Sequence, residues 1–240
     1  MSILKQITGT GNNKRTLIIS DVHLGSKGSR TEDLLKLLAK EKYDRLILVG
    51  DIIDGWLIKK YHWFPESHIK VIKKILKISK KKEVIYITGN HDEFLREYAP
   101  HSIGNISIVN EFIEGDVWIV HGDLYDGVVK LRWLGILGSV GYDFAIGIDQ
   151  WAKKIGIKTS LSKFLKNNVK QAIKFITQFE SELIRQCIKR DCNTVICGHI
   201  HTPSDKEADG IRYLNTGDWI ENTSYIIWEG DKFILKNYLH

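Results

Sequence analysis

The chain has 240 residues, 43% of them hydrophobic, and a formal charge of +6, which suits a soluble globular protein with a single domain over 1–240. No stretch reaches the ~18 uncharged apolar residues of a membrane span, and residues 1–15 lack the apolar core of a signal peptide, so neither a spanning nor an exported protein is expected. Cys187, Cys192 and Cys197 are odd in number and form no C-x-x-C pair, which makes a disulfide framework or a zinc ribbon a poor reading and predicts a reducing cytoplasm.

In chain order, the first predicted strand is 16–20 (TLIIS), followed by a helix over 31–42 with apolar residues at helical spacing. A second strand at 45–49 (RLILV), a helix over 65–82 and a third strand at 84–88 (VIYIT) continue the alternation. Nearly continuous β-branched runs of this length are buried on both faces, so the first half reads as a layered α/β domain. Strands at 117–120 (VWIV) and 194–197 (TVIC) follow, and three runs at 211–214, 224–228 and 233–235 predict antiparallel strands completing a second sheet.

Between them, 126–191 holds no convincing strand and reads as a helical insertion over the strand-end loops. Its part from 128 to 148 is rich in glycine and large apolar residues, among them Trp133, Leu134 and Leu137; a core-packing helix pair and a slot for acyl chains are both open readings. From 150 to 179 seven lysines, including Lys163, Lys166, Lys170 and Lys174, occur without an acid, and 70–82 carries seven more. Both runs are interleaved with apolar residues, giving basic amphipathic helices that suit an anionic substrate or membrane surface, or that merely solvate two helix faces. No nucleic-acid-binding motif accompanies the charge, and no obligatory protein partner is evident.

Six acidic, histidine and asparagine clusters punctuate this alternation: Asp21-x-His23, Gly50-Asp51-x-x-Asp54, Gly89-Asn90-His91-Asp92, His121-Gly122-Asp123, Gly198-His199-x-His201 and, more weakly, Gly217-Asp218. Each follows, or lies just beyond, a predicted strand, where open α/β sheets place their ligands. Singly, an Asp after a strand is often a helix cap and Gly-Asp a common turn. Carboxylate, imidazole and amide ligands on several strand-end loops can converge into a dinuclear metal site for phosphate chemistry.

The ordered set D-x-H, G-D-x-x-D, G-N-H-D, H and G-H-x-H resembles the calcineurin-like metallophosphoesterase superfamily and spans Asp21 to His201. The resemblance implies an α/β fold, a layered β-sandwich flanked by helices (αββα) with a helical cap. It implies that Asp21, His23, Asp51 and His201 hold one divalent metal and that Asp51, Asn90, His121 and His199 hold the other, with Asp51 bridging. A mixed N/O set suits Mn²⁺, Fe or Zn²⁺, and the resemblance favours Mn²⁺. It also implies that His91, oriented by Asp54, faces the substrate as a general acid without binding metal. Asp92 and Asp123 read as loop hydrogen-bonders.

Within the superfamily, the chain length, the insertion and the strings S-D-V-H-L-G and G-D-I-I-D look like the UDP-2,3-diacylglucosamine diphosphatase group of lipid A biosynthesis. That resemblance implies cleavage of a nucleotide-linked lipid to UMP and lipid X at the inner face of the cytoplasmic membrane, with Asn90, His91, Lys163, Lys166, Lys170 and His199 as substrate contacts. His91 is a departure, because the best-understood members carry arginine after the asparagine. A phosphomonoesterase or phosphodiesterase acting on soluble nucleotides or phosphoproteins is the alternative. A non-catalytic interaction module ranks last, since none of the motif residues is missing.

Overall fold

The computed structural model of the protein describes residues 4–6, 14–126 and 161–239, with side chains from 14 to 126 and from 170 to 239. Two mixed sheets form the centre. One has the strand order β13 (Lys232–Asn237), β12 (Ser224–Glu229), β2 (Thr16–Ile19), β3 (Arg45–Val49), β4 (Glu83–Ile87), β6 (Ile106–Val109), β5 (His101–Ile103). The other runs β1 (Leu4–Gln6), β7 (Glu111–Glu114), β8 (Val117–Val120), β9 (Thr194–Cys197), β11 (Ile211–Asn215), β10 (Ser204–Ala208).

The period of two along each strand sorts the apolar side chains into layers. In the first sheet Ile18, Ile47, Val49, Ile85 and Ile87 face Phe112, Val117, Ile119, Ile196 and Leu214 of the second, forming the core between the sheets. Their alternates Leu17, Ile19, Leu46, Leu48, Val84 and Tyr86 point the other way. There they meet Leu34, Leu37 and Leu38 of α1 (Thr31–Lys40) and Val71, Ile75 and Ile78 of α3 (Glu66–Ser79), whose three- and four-residue spacing makes one apolar stripe per helix. The lysines of α3 occupy the opposite face, so that run reads, in the structure, as the outer surface of a core-packing helix.

A longer helix, α4 (Leu161–Ile188), lies within the region expected to be a helical insertion. Leu183, Ile184 and Cys187 near its end are buried, and Arg190 just beyond lays its guanidinium 4.3 Å from the Trp118 ring centroid on the outer side of the second sheet. The chain divides into two compact units, Met1–Asp123 with Leu183–His240, and Leu124–Glu182. In the second unit Phe175 and Phe179 of α4 stack at 6.4 Å. Lys170 and Lys174 are exposed; the side chains of Lys163 and Lys166, and the apolar stretch 128–148, lie outside the described residues. No helix among the described residues is long and apolar enough to cross a membrane. The three cysteines are buried free thiols.

One expectation needs correction. The three late runs are strands, and β12 and β13 pair antiparallel as expected, with Ile226 opposite Leu235, but the three do not complete one second sheet. β11 runs parallel to β9, with Leu214 opposite Ile196, whereas β12 joins the first sheet antiparallel to β2, with Ile226 opposite Ile18. An apolar run specifies a strand, but its partner is chosen by non-local packing that the run itself does not encode. The short strands β5 and β10, with three and five residues and largely exposed side chains, carry no apolar pattern from which to predict them.

Candidate active site

The strand order positions the site. β2, β3 and β4 are adjacent and parallel, so the loops after them leave from one edge and carry Asp21 and His23, Asp51 and Asp54, and Asn90 and His91. In the second sheet β8 and β9 are also parallel neighbours, and the loops after them carry His121, His199 and His201. Backbone bonds lace the loops together: Asp21 N donates to Gly50 O (3.1 Å), His23 N to Asp51 O (2.9 Å) and Gly198 N to His121 O (3.2 Å).

Local backbone strain is concentrated here. Among the described residues nine non-glycine positions have positive φ, and Asp21, His23, Asp51, His199 and His201 are five of them. Each left-handed non-glycine residue costs on the order of 1–3 kcal/mol and persists only when its surroundings over-determine it. Gly198 removes a further obstacle, since a side chain there would run into the Asp21 carboxylate and Ser20.

Three groups of ligand atoms result, Asp21/His23/His201, His23/Asp51/His91 and Asp51/His121/His199, each with its atoms within 4.8 Å of one another. His201 Nε2 lies 3.1 Å from Asp21 Oδ1, His23 Nε2 is 3.2 Å from His201 Nε2, and His121 Nε2 is 3.4 Å from Asp51 Oδ2. Asp21 Oδ1, Asn90 Oδ1 and His121 Nε2 are buried yet have no aligned hydrogen-bond partner. Buried polar atoms of this kind are rare and call for an explanation. Carboxylate oxygens, an amide oxygen and imidazole nitrogens converging on one spot fit divalent cations of the Mn²⁺, Fe or Zn²⁺ type.

The other atoms of these side chains are held by the protein. His121 Nδ1 meets Val49 O at 2.9 Å, which leaves Nε2 facing inward. His91 N donates to Asp51 Oδ1 (2.8 Å) and His199 N to Asp21 Oδ2 (3.1 Å). Asp54 Oδ1 caps α2 (Gly55–Tyr61) by accepting from Leu57 N at 2.8 Å. Its Oδ2 lies 2.9 Å from His91 Nδ1 and 3.3 Å from His23 Nδ1.

Electrostatics follow the geometry. Burial alone would raise the Asp21, Asp51 and Asp54 carboxyls, but the facing imidazoles outweigh it and hold all three below the usual range. Burial would lower His201, yet the Asp21 carboxylate raises it to about 9, and Asp51 likewise lifts His121 well above the usual histidine value.

The structure thus brings Asp21, His23, Asp51, Asp54, Asn90, His91, His121, His199 and His201 to one place. Lys170 belongs to the other compact unit. Asp92 is fully buried and accepts from Ile52 N (2.9 Å), Gly89 N (2.5 Å) and Tyr86 Oη (2.6 Å), tying the Asp51 and Asn90 loops together. Burial and the neighbouring Asp51 push its carboxyl up. Asp123 receives Arg96 Nη2 at 2.7 Å. Asp218 accepts from the backbone of Ile220 and Glu221, and Asn222, bonded to Asp218, donates to His201 O at 2.9 Å.

Sequence reasoning missed two contributors. Ser20 joins the Asp21 carboxylate, Thr216 and Gly217 O, and Trp56 packs on His91 with ring centroids 4.2 Å apart. Ser20 directly precedes a ligand residue and was a readable signal; the Trp56 contact depends on where α2 turns.

The family model for calcineurin-like phosphoesterases matches residues 14–203. A UDP-2,3-diacylglucosamine hydrolase of Porphyromonas gingivalis is 24% identical over 260 residues, covering 91% of this chain and 95% of that protein. The DNA polymerase II small subunit of Thermoplasma acidophilum is also 24% identical over 86% of this chain, which spans 45% of that protein. Among solved structures, the Escherichia coli phosphoesterase Yfce aligns with a TM-score of 0.48 at 16% identity, covering 93% of each chain. With the matched segment running from before β2 to just past His201, the chain belongs to the calcineurin-like phosphoesterase family.

Proposed function

We propose that the protein is a dinuclear metal-dependent phosphohydrolase whose substrate is UDP-2,3-diacylglucosamine or a related nucleotide-linked lipid, cleaved at the pyrophosphate to UMP and the acylated sugar phosphate. The observation that carries the chemistry is the convergence of ligand atoms in the groups Asp21/His23/His201 and Asp51/His121/His199, each within 4.8 Å, with Asn90 Oδ1 buried beside them and lacking a hydrogen-bond partner. Asp21, His23, Asp51 and His201 would hold one ion and Asp51, Asn90, His121 and His199 the other, with Mn²⁺ the favoured metal. Two such ions would supply an acidified water and neutralise phosphoryl charge.

The chain's own residues do the rest. Asp54 holds His91 Nδ1, so Nε2 faces the Asp51 carboxylate 3.9 Å away, on the side where a phosphoryl group would sit. Water adds its oxygen to phosphorus as the bond to the leaving oxygen breaks, and that oxygen takes its proton from His91 Nε2. The water's spare proton passes to solvent.

The substrate assignment is supported by the Porphyromonas relative, aligned over nearly the full length of both proteins, together with the basic amphipathic run that contains Lys163, Lys166, Lys170 and Lys174. That run would contact an anionic lipid or the inner membrane surface. Hydrolysis of the acylated UDP-sugar, its deacylated form and bis-p-nitrophenyl phosphate is the test. A clear preference for the acylated substrate, weakened by replacing the four lysines with Gln, is expected. Equal rates on acylated and deacylated sugars would favour a phosphodiesterase of soluble nucleotides instead.

A further inference from the structure

The helix α2 contributes no fully buried residue to either core, yet it is fastened at its start to the candidate acid. Gly55 N donates to His91 O at 3.0 Å, and Asp54, its cap, lies 2.9 Å from His91 Nδ1. Trp56 follows directly. Its ring lies against the His91 imidazole at 4.2 Å between centroids and 41° between planes, and its Nε1 donates to Glu93 Oε1 at 3.3 Å. The His23 ring meets His91 edge-on at 4.5 Å and 88°.

A single contact from Asp54 to Nδ1 fixes one atom of the imidazole but leaves the ring free to tilt about it. Packing from an indole on one side and an imidazole edge on another removes that freedom. The side chain keeps only a fifth of its surface accessible, which also limits competing water near the donor nitrogen. We propose that Trp56 is a positioning residue: it holds the His91 ring so that Nε2 stays aimed at the leaving oxygen, with Glu93 anchoring the indole. The inference rests on the general-acid reading of His91.

The test uses the metal-loaded full chain and two diesters of equal charge and similar size, bis-p-nitrophenyl phosphate and diphenyl phosphate. Phenolate is the poorer leaving group and depends more on a delivered proton. Trp56→Ala is expected to lower kcat on diphenyl phosphate by ~10–100-fold, the usual cost of losing an orienting contact, with KM little changed. The loss on bis-p-nitrophenyl phosphate should be severalfold smaller. His91→Ala should show the same selectivity with a larger loss, the double variant should match His91→Ala alone, and Trp56→Phe should recover most of the rate. Loss in the double variant beyond His91→Ala, or a rise in KM shared by both substrates, overturns the proposal in favour of an indole that binds substrate. A lowered Tm in Trp56→Ala together with a Trp56→Phe variant that restores Tm but not the leaving-group selectivity also overturns it. If His91→Ala itself fails to distinguish the substrates, the general-acid reading falls and this inference with it; discrimination by His91→Ala without any by Trp56→Ala removes only the role of Trp56.

Discussion

Strand β3 carries a buried charged group at each end, and the two are opposites in how they are satisfied. At its start, Arg45 is fully buried and makes a bidentate pair with Glu114 at 3.0 and 2.6 Å. Its Nε donates to Thr16, and the guanidinium lies over the rings of Phe112 and Trp228. Just past the end of the strand, Asp51 is equally buried among carboxylates and imidazoles, and several neighbouring atoms lack aligned partners. A buried ion pair with its hydrogen bonds made is a closed structural unit, whereas a buried cluster with unpaired lone pairs is complete only with a ligand. The first end holds the sheets together; the second is built for cations.

The sharpest way to break this contrast is Asp51→Ala, expected to abolish turnover and to remove both metals, because both would share that carboxylate. Asp21→Ala should empty mainly one site. Metal content after dialysis decides, and an Asp51→Ala protein that keeps two tightly bound ions would contradict the bridging role. Next in size, His91→Ala should keep its metal and lower kcat by ~10²–10⁴ on substrates with poor leaving groups, with Asp54→Asn giving a smaller loss in the same direction. Metal lost in step with activity would instead make His91 a ligand.

At the other end, Arg45→Ala should destabilise the protein by about 3–5 kcal/mol, since it strands a buried Glu114, while the folded fraction keeps its kcat and metal content. Denaturant unfolding with activity per folded molecule checks this, and an unchanged midpoint would mean that the pair is not a structural unit. Replacing both partners with Arg45→Met and Glu114→Leu should recover most of the loss.

The smallest effect is in pH. His201 is raised to about 9 by Asp21, so in metal-stripped protein its contribution to stability is full below the unfolded value of about 6.5 and fades as pH climbs through 9. The carboxylates, held low, contribute above about 4 and lose that contribution only in strong acid. Metal-stripped protein should therefore lose Tm between roughly pH 6.5 and 9, and added Mn²⁺ should remove the decline by taking the place of the imidazole protons. A flat profile without metal would dissociate His201 from the cluster.

Much of this was readable in the sequence. The strands 45–49, 117–120 and 194–197 coincide with β3, β8 and β9, because apolar runs of four or five residues with β-branched members are too short for a helix and suit a strand buried on both faces. The motif residues were legible because their chemistry is unusual at strand ends, and the fold gathers them through parallel neighbours. What stayed hidden depends on contacts distant in the chain: the pairing of β12 with β2, the Arg45–Glu114 pair separated by 69 residues, and the packing of Trp56 on His91. None has a periodic signature, since each is a choice of partner and not a property of a segment.

The placement of β12 has a consequence for the order in which the molecule can be made. Asp21 leaves the end of β2, and β2 is flanked on one side by β12, some 200 residues later in the chain. Trp219 N donates to Asp21 O, and Thr216 and Gly217 brace Ser20. A nascent chain that has emerged only as far as His201 already contains every candidate metal ligand, yet lacks the strand and loop that seat the first of them. Contacts of such long sequence separation form late and slowly. Metal capture is therefore expected to follow synthesis of the β12–β13 hairpin, and ions offered earlier would meet a half-built set of loops.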